Sequence, residues 1–251
     1  MVSTTPINAA DLEFDNGSWD AAAFTAQTLS NWQSLASVID HTLLKPDTTR
    51  NQVESHCGQV IRYRFACAMV SPVWAATAVN QLSGSGIPVG VTIGFPLGAS
   101  LVSTLRQEAA ALTRLGVREL DMVLPIGPLK SGNHQAVHHT IQATASVAHH
   151  HGALLKVILE TCLLTVEEKL RAAEIAIQAG ADFLKTSTGF STGGATVADV
   201  ALLRGVAGAR AGVKASGGIR TLAEVRALLE AGANRIGASA SVAIVRELGA
   251  E

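Results

Sequence analysis

The sequence predicts a (β/α)8 barrel preceded by an N-terminal helical extension. Eight short, β-branched apolar runs are separated mostly by segments of helical period, and 251 residues suit one closed barrel. The runs are continuous rather than alternating in polarity, the pattern of parallel strands covered on both faces. A doubly wound open sheet competes, but no glycine-rich dinucleotide turn follows the first run.

In chain order, residues 1–34 lack clear periodicity and read as an extension holding a short helix near 21–30. The barrel domain is expected over 35–251, with strands near 38–42, 65–70, 88–95, 117–124, 154–160, 182–186, 212–216 and 234–238. The segment 166–179, with Glu167, Glu168, Lys169 and Arg171 on a polar face, typifies the intervening helices. Leu115-Gly116-Val117, Ala179-Gly180-Ala181 and Ala231-Gly232-Ala233 form a weak repeat, each glycine marking a helix-to-strand turn. Five residues beyond each lie Asp121, Lys185 and Gly237, so comparable strand positions carry chemistry or expose backbone.

Composition narrows the function. Nineteen Lys+Arg against 20 Asp+Glu leave no global basic field, so nucleic acid is not an expected partner. The stretch 65–105 has no charge or histidine, yet Ser, Asn, Gln, Gly and Pro interrupt it, so no membrane span is expected. The 3 cysteines show no CxxC spacing, which favours neither a disulfide framework nor zinc. Acidic residues precede the first basic one, Lys45, the reverse of a secretory leader, and a cytoplasmic location is expected. Mean hydropathy of +0.30 and the extension favour a homo-oligomer, a dimer or larger.

The strands from 117 onward carry Asp121, Lys156, Lys185 and Lys214 in turn. In a barrel, side chains from different strands meet at the C-terminal face. A charge on an apolar run is costly to bury unless paired or used. Here lysines outnumber the carboxylate. Two ammonium groups ~6 Å apart at an effective dielectric of ~20 repel by about 2.8 kcal/mol, roughly two pKa units. A lysine lowered that far is partly neutral at pH 7 and attacks a carbonyl to form a Schiff base. The turns Ser187-Thr188-Gly189, Ser216-Gly217-Gly218 and Gly237-Ala238-Ser239 follow the last three strands, where barrels often bind phosphate. A small phosphorylated aldehyde or sugar is the expected ligand.

Other residues read more plainly. His149, His150 and His151 cannot all face one ion and form a solvated helix end. Cys162 reads as a buried packing cysteine, Trp32 and Trp74 as packing anchors. Arg220 either closes a helix or meets phosphate.

Several blocks resemble the deoxyribose-phosphate aldolase family. They are Val38-Ile39-Asp40-His41-Thr42-Leu43-Leu44-Lys45-Pro46, Ile93-Gly94-Phe95-Pro96-Leu97-Gly98 and Glu119-Leu120-Asp121-Met122-Val123. To these add Lys156-Val157-Ile158-Leu159-Glu160-Thr161, Lys185-Thr186-Ser187-Thr188-Gly189 and Lys214-Ala215-Ser216-Gly217-Gly218-Ile219-Arg220. The resemblance runs from about 37 to 245 and implies a class I aldolase that uses neither metal nor cofactor. It implies Lys185 as the Schiff-base lysine, Lys214 as the second lysine and Asp121 as a proton relay working with water. Asp40, Thr42, Lys156, Thr188, Gly189, Gly217, Gly218 and Ser239 are implied in substrate binding. The implied reaction is the cleavage of 2-deoxyribose 5-phosphate to glyceraldehyde 3-phosphate and acetaldehyde. A different Schiff-base or phosphate-binding barrel enzyme, or a non-catalytic sugar-phosphate sensor, are the rival readings. An isomerase has no need of the lysine pair, and a sensor need not keep both lysines and the aspartate.

The sequence departs from the family in three places. Met69 stands where the family often has cysteine, with Cys67 two residues earlier on the same strand face. Ala240 stands in place of a second serine, and Pro125 in place of an asparagine.

Overall fold

A computed structural model describes residues 19–251. The part of the extension reading that falls on residues 1–18 lies outside the described residues. Eight parallel strands close into a barrel in sequence order: β1 Ile39–Leu43, β2 Cys67–Val70, β3 Val89–Ile93, β4 Glu119–Val123, β5 Leu154–Ile158, β6 Phe183–Lys185, β7 Gly212–Ser216 and β8 Arg235–Ala238.

Two short helices, α1 Ala21–Thr28 and α2 Trp32–Ala36, precede β1. Asp20 and Asn31 cap them, accepting from Ala23 N at 2.9 Å and Ser34 N at 2.8 Å. The outer layer consists of α3 Arg50–Tyr63, α4 Ala75–Gln81, α5 Val102–Arg114, α6 Ile126–Lys130, α7 His134–His150, α8 Val166–Gln178, α9 Val197–Ala207, α10 Leu222–Glu230 and α11 Ser241–Glu247. Thr165 and Thr221 open α8 and α10 with capping boxes closed by Glu168 and Glu224. The repeated glycines end helices as their spacing predicts: Gly116, Gly180 and Gly232 adopt φ of 108°, 95° and 110° just past α5, α8 and α10.

The strands are buried almost throughout, but their two faces differ. Ile39, Val91, Leu120, Val157, Leu184, Val213 and Ile236 belong to the apolar core beneath the helices. The alternate residues turn into the barrel, and the register aligns Asp121 with Lys156, Lys185 with Lys214, and Lys214 with Arg235. The apolar continuity expected of the strands therefore holds on the helix side, while charge fills the inside. Large and small side chains alternate between neighbouring strands. A Cβ on Gly90 would lie 2.2 Å from Met69 Sδ, and one on Gly212 would lie 2.2 Å from the Phe183 ring.

Candidate active site

Seven ionisable side chains from six strands form one buried network. Asp121, fully buried, is its hub: Oδ1 accepts from Lys156 Nζ at 2.8 Å, and Oδ2 accepts from Lys185 Nζ and Lys214 Nζ, each at 2.7 Å. Lys214 also donates to Asp40 Oδ2. Below, Arg235 binds Asp40 Oδ1 at 3.1 Å and Glu119 Oε1 at 3.0 Å, while Glu119 pairs with Lys156 as well. Four cations thus meet three carboxylates, Asp40, Glu119 and Asp121. Loss of one proton balances the interior.

Lys185 is the group placed to lose it. Burial lowers its pKa to about 8; Asp121 opposes this, and the charges of Lys214 and Lys156 add to it. Desolvation is thus the first cause, and the like-charge repulsion expected from the sequence comes after it. Lys156 goes the other way. Burial would lower it, but Asp121, Glu119 and Asp40 raise it well above the usual lysine range. Burial would likewise raise Asp121, yet Lys156, Lys185 and Lys214 hold it well below the usual carboxylate range. Against the same burial cost, Arg235, Lys214 and Lys156 bring Asp40 to about 2.

Above the network a cavity of about 420 Å³ opens at the C-terminal ends of the strands. Thr42, Lys185, Thr188, Gly189, Gly217, Gly218 and Ser239 line it, as does Arg220. Gly189, Gly217 and Gly218 have φ of 83°, 91° and 82°, a left-handed backbone conformation that suits glycine and that leaves no Cβ between the turn and the cavity. Arg220 sits at the start of α10, where its backbone N donates to Glu224 Oε2 at 2.7 Å, and the residue also borders the cavity.

Asp40 and Lys156, expected to bind substrate, are not in the cavity lining; both are fully buried within the network below it. Asp121 contacts both lysines directly. Glu119 and Arg235 escaped the sequence reading, although their charges on strand-like runs were the same signal that singled out Lys156. Cys162 is exposed rather than buried, because β5 ends at Ile158 and the chain turns left-handed at Glu160 before reaching it. The histidine cluster does have an acidic neighbour: His149 Nε2 lies 2.9 Å from Asp182 Oδ2.

Asp40, Cys67 and Glu119 bring potential metal ligands within 4.8 Å of one another. Lys156 and Arg235 already engage both carboxylates, and burial, with Glu119 and Asp40 adding to it, pushes the Cys67 thiol well above 9.0. This donor set is occupied by side-chain cations and does not fit a metal. Among the described residues no helix is long and apolar enough to cross a membrane.

A closed parallel barrel with a lysine of lowered pKa, a second lysine and a shared aspartate defines a Schiff-base, aldolase-type site. The profile of the DeoC/LacD family aldolases matches residues 35–247. The chain belongs to that family. It is 50% identical over 212 residues to the deoxyribose-phosphate aldolase of Geobacillus sp. (strain WCH70), a match covering 84% of this chain and 95% of the relative. It is 51% identical over 212 residues to that of Listeria monocytogenes serovar 1/2a (strain ATCC BAA-679 / EGD-e), with the same coverage. The tetrameric deoxyribose phosphate aldolase of Aeropyrum pernix superposes with a TM-score of 0.84 at 32% identity, over 91% of this chain and 96% of that one.

Proposed function

We infer that the protein is a class I aldolase that reversibly cleaves 2-deoxy-D-ribose 5-phosphate to D-glyceraldehyde 3-phosphate and acetaldehyde. The observation that carries the reading is Lys185, lowered to about 8 and bordering a cavity lined by phosphate-type glycine turns. Neutral Lys185 attacks C1 of the open-chain aldehyde, and loss of water gives the protonated imine. Removal of the C3 hydroxyl proton lets the C2–C3 bond break, its electron pair moving into the iminium. C3 becomes the aldehyde carbon of glyceraldehyde 3-phosphate. The remaining enamine takes a proton at C2, and water hydrolyses the imine to acetaldehyde and free Lys185.

Asp121 carries protons for these steps, and Lys214 shares its Oδ2, so a proton on one is passed to the other over 2.7 Å. Gly189, Gly217, Gly218 and Ser239 hold the phosphate, supported by the nearby charge of Arg220. Thr42 and Thr188 face the sugar hydroxyls. Asp40 and Lys156 act from beneath by fixing Lys214 and Asp121. A phosphorylated substrate, which does not cross membranes unaided, favours a cytoplasmic enzyme. The tetrameric relative favours a homo-oligomer, to be checked by light scattering.

Borohydride trapping tests the mechanism. Incubation with acetaldehyde followed by reduction leaves an ethyl adduct on Lys185, and Lys185→Ala loses both the adduct and turnover. An adduct on another lysine, or none in folded protein, overturns the assignment.

A further inference from the structure

Glu160 has no part in the chemistry described above, yet it is 2% exposed and sits just past β5, bonded to Thr188 of the cavity lining. Among the described residues it makes no ion pair. Its backbone is left-handed, at φ 57° and ψ 62°, a conformation that a residue with a long side chain seldom adopts. Such a conformation persists where its surroundings require it.

What the turn achieves is visible in the bonds around it. Thr161 N reaches Thr186 O at 3.0 Å, tying the end of β5 to the strand that carries Lys185. The Glu160 carboxylate then points at Thr188: Oε1 accepts from Thr188 N at 3.3 Å, and Oε2 accepts from the Thr188 hydroxyl. Phe190 N donates to that same hydroxyl oxygen at 3.0 Å. Both Glu160 oxygens accept from Thr188, so the hydroxyl gives its one proton to Glu160. With one lone pair taken by Phe190 N–H, what remains for the cavity is a single acceptor position.

We propose that Glu160 is a positioning residue that fixes the Thr188 hydroxyl as a hydrogen-bond acceptor toward the cavity, so that the site selects aldehydes bearing a hydroxyl donor on the carbon next to the carbonyl. The proposal rests on reading this cavity as the substrate site. A site built to pair with a hydroxyl discriminates against an analogue that lacks it, because its own polar group is left unpaired.

The test is carbon–carbon bond formation from acetaldehyde with D-glyceraldehyde 3-phosphate or with its deoxy analogue, 3-phosphooxypropanal. Thr188→Val and Glu160→Gln each lower kcat/KM for the hydroxylated acceptor about tenfold and leave the analogue within about twofold. The double variant behaves as Thr188→Val alone, and Thr188→Ser keeps the wild-type preference. Glu160→Gln leaves imine trapping with acetaldehyde, which carries no hydroxyl, unchanged. If Thr188→Val loses the preference and Glu160→Gln keeps it, the proposal is overturned. Equal losses with both acceptors and in trapping also overturn it, since Glu160 is then only structural. If Thr188→Val keeps the preference, the reading of the cavity wall fails first, and the proposal with it.

A measurement on unaltered enzyme guards against variants that do not fold. Of two unreactive phosphates, 2-hydroxypropyl phosphate inhibits about tenfold more tightly than 2-fluoropropyl phosphate, which cannot donate. Equal inhibition overturns the proposal.

Discussion

Because burial is the first cause of the lowered Lys185 pKa, the pH dependence of imine formation follows from where the side chain sits. Below about 8 the amine is mostly protonated and has no lone pair to attack with; above it, the neutral form dominates. The rate of borohydride trapping therefore rises with pH through a midpoint near 8. Lys214 shares Asp121 Oδ2 with Lys185 and repels it, so Lys214→Met removes a charge that favours the neutral amine. In that variant the midpoint moves upward, and trapping at pH 7 slows by on the order of tenfold. A midpoint that stays at 8 would show that burial acts alone. Sulfur gives a second test at this scale. Met69 is 1% exposed, with its Sδ 3.9 Å from Cys67 Sγ, and the Cys67 thiol is held protonated by burial. Met69 thus places a thioether, which does not add to aldehydes, where a cysteine would offer a second buried thiol. With the exposed Cys162 replaced by serine in both proteins, Met69→Cys loses activity faster in crotonaldehyde than its parent. Faster loss in the parent would refute this.

At the scale of elements, strand pairing depends on where glycine is spent. Gly212 on β7 lies opposite Phe183 on β6, and an added Cβ would sit 2.2 Å from the ring. Gly212→Ala destabilises the fold by about 1–3 kcal/mol as an overpacked core, and Phe183→Leu in the same protein restores part of the loss. Urea midpoints at constant m check both; an unchanged midpoint in the single variant would show that the ring moves aside freely. The strands themselves were legible in the sequence. Seven of the eight fall inside their expected spans, and β1 overruns its span by one residue at Leu43, because their helix-facing residues are mostly apolar. Asp121, Lys185 and Lys214 were legible for the opposite reason, as charges interrupting such runs. Glu119 and Arg235 carried the same signal at the start of β4 and β8, but a charge at a strand's start also suits a solvated turn. Only the closed register shows both lying under Asp40. Glu160 was invisible as a separate feature, because its left-handed turn has no sequence signature comparable to glycine.

For the whole molecule, the groups that govern stability in acid are not the ones that govern activity. His41 and His56 stack at 4.3 Å on the outer face of β1 under α3, each 4% exposed. Burial lowers the pKa of His56 to about 3, the neighbouring His41 adding to it, and burial lowers His41 too. The unfolded chain takes up protons near 6.5 that the folded chain refuses, so stability falls as pH drops below that value. At pH 4 His56 alone accounts for on the order of 3 kcal/mol. Asp40 acts later: its carboxyl is held at about 2 against an ordinary 3.8, so its contribution is complete above 3.8 and is lost as pH falls toward 2. The first acid loss is therefore a property of the barrel's outer wall, and only the second reaches the charged interior. Urea unfolding at pH 7, 5 and 4 separates them. Wild type loses stability across that range, and His56→Leu loses markedly less, while the pH dependence of its activity still rises through about 8. Equal slopes in the two proteins would move the acid sensitivity back to the carboxylates. The lysine that must be neutral and the histidines that must stay neutral both set limits on the acid side, activity falling below about 8 and stability below about 6.5, through two unrelated parts of one barrel.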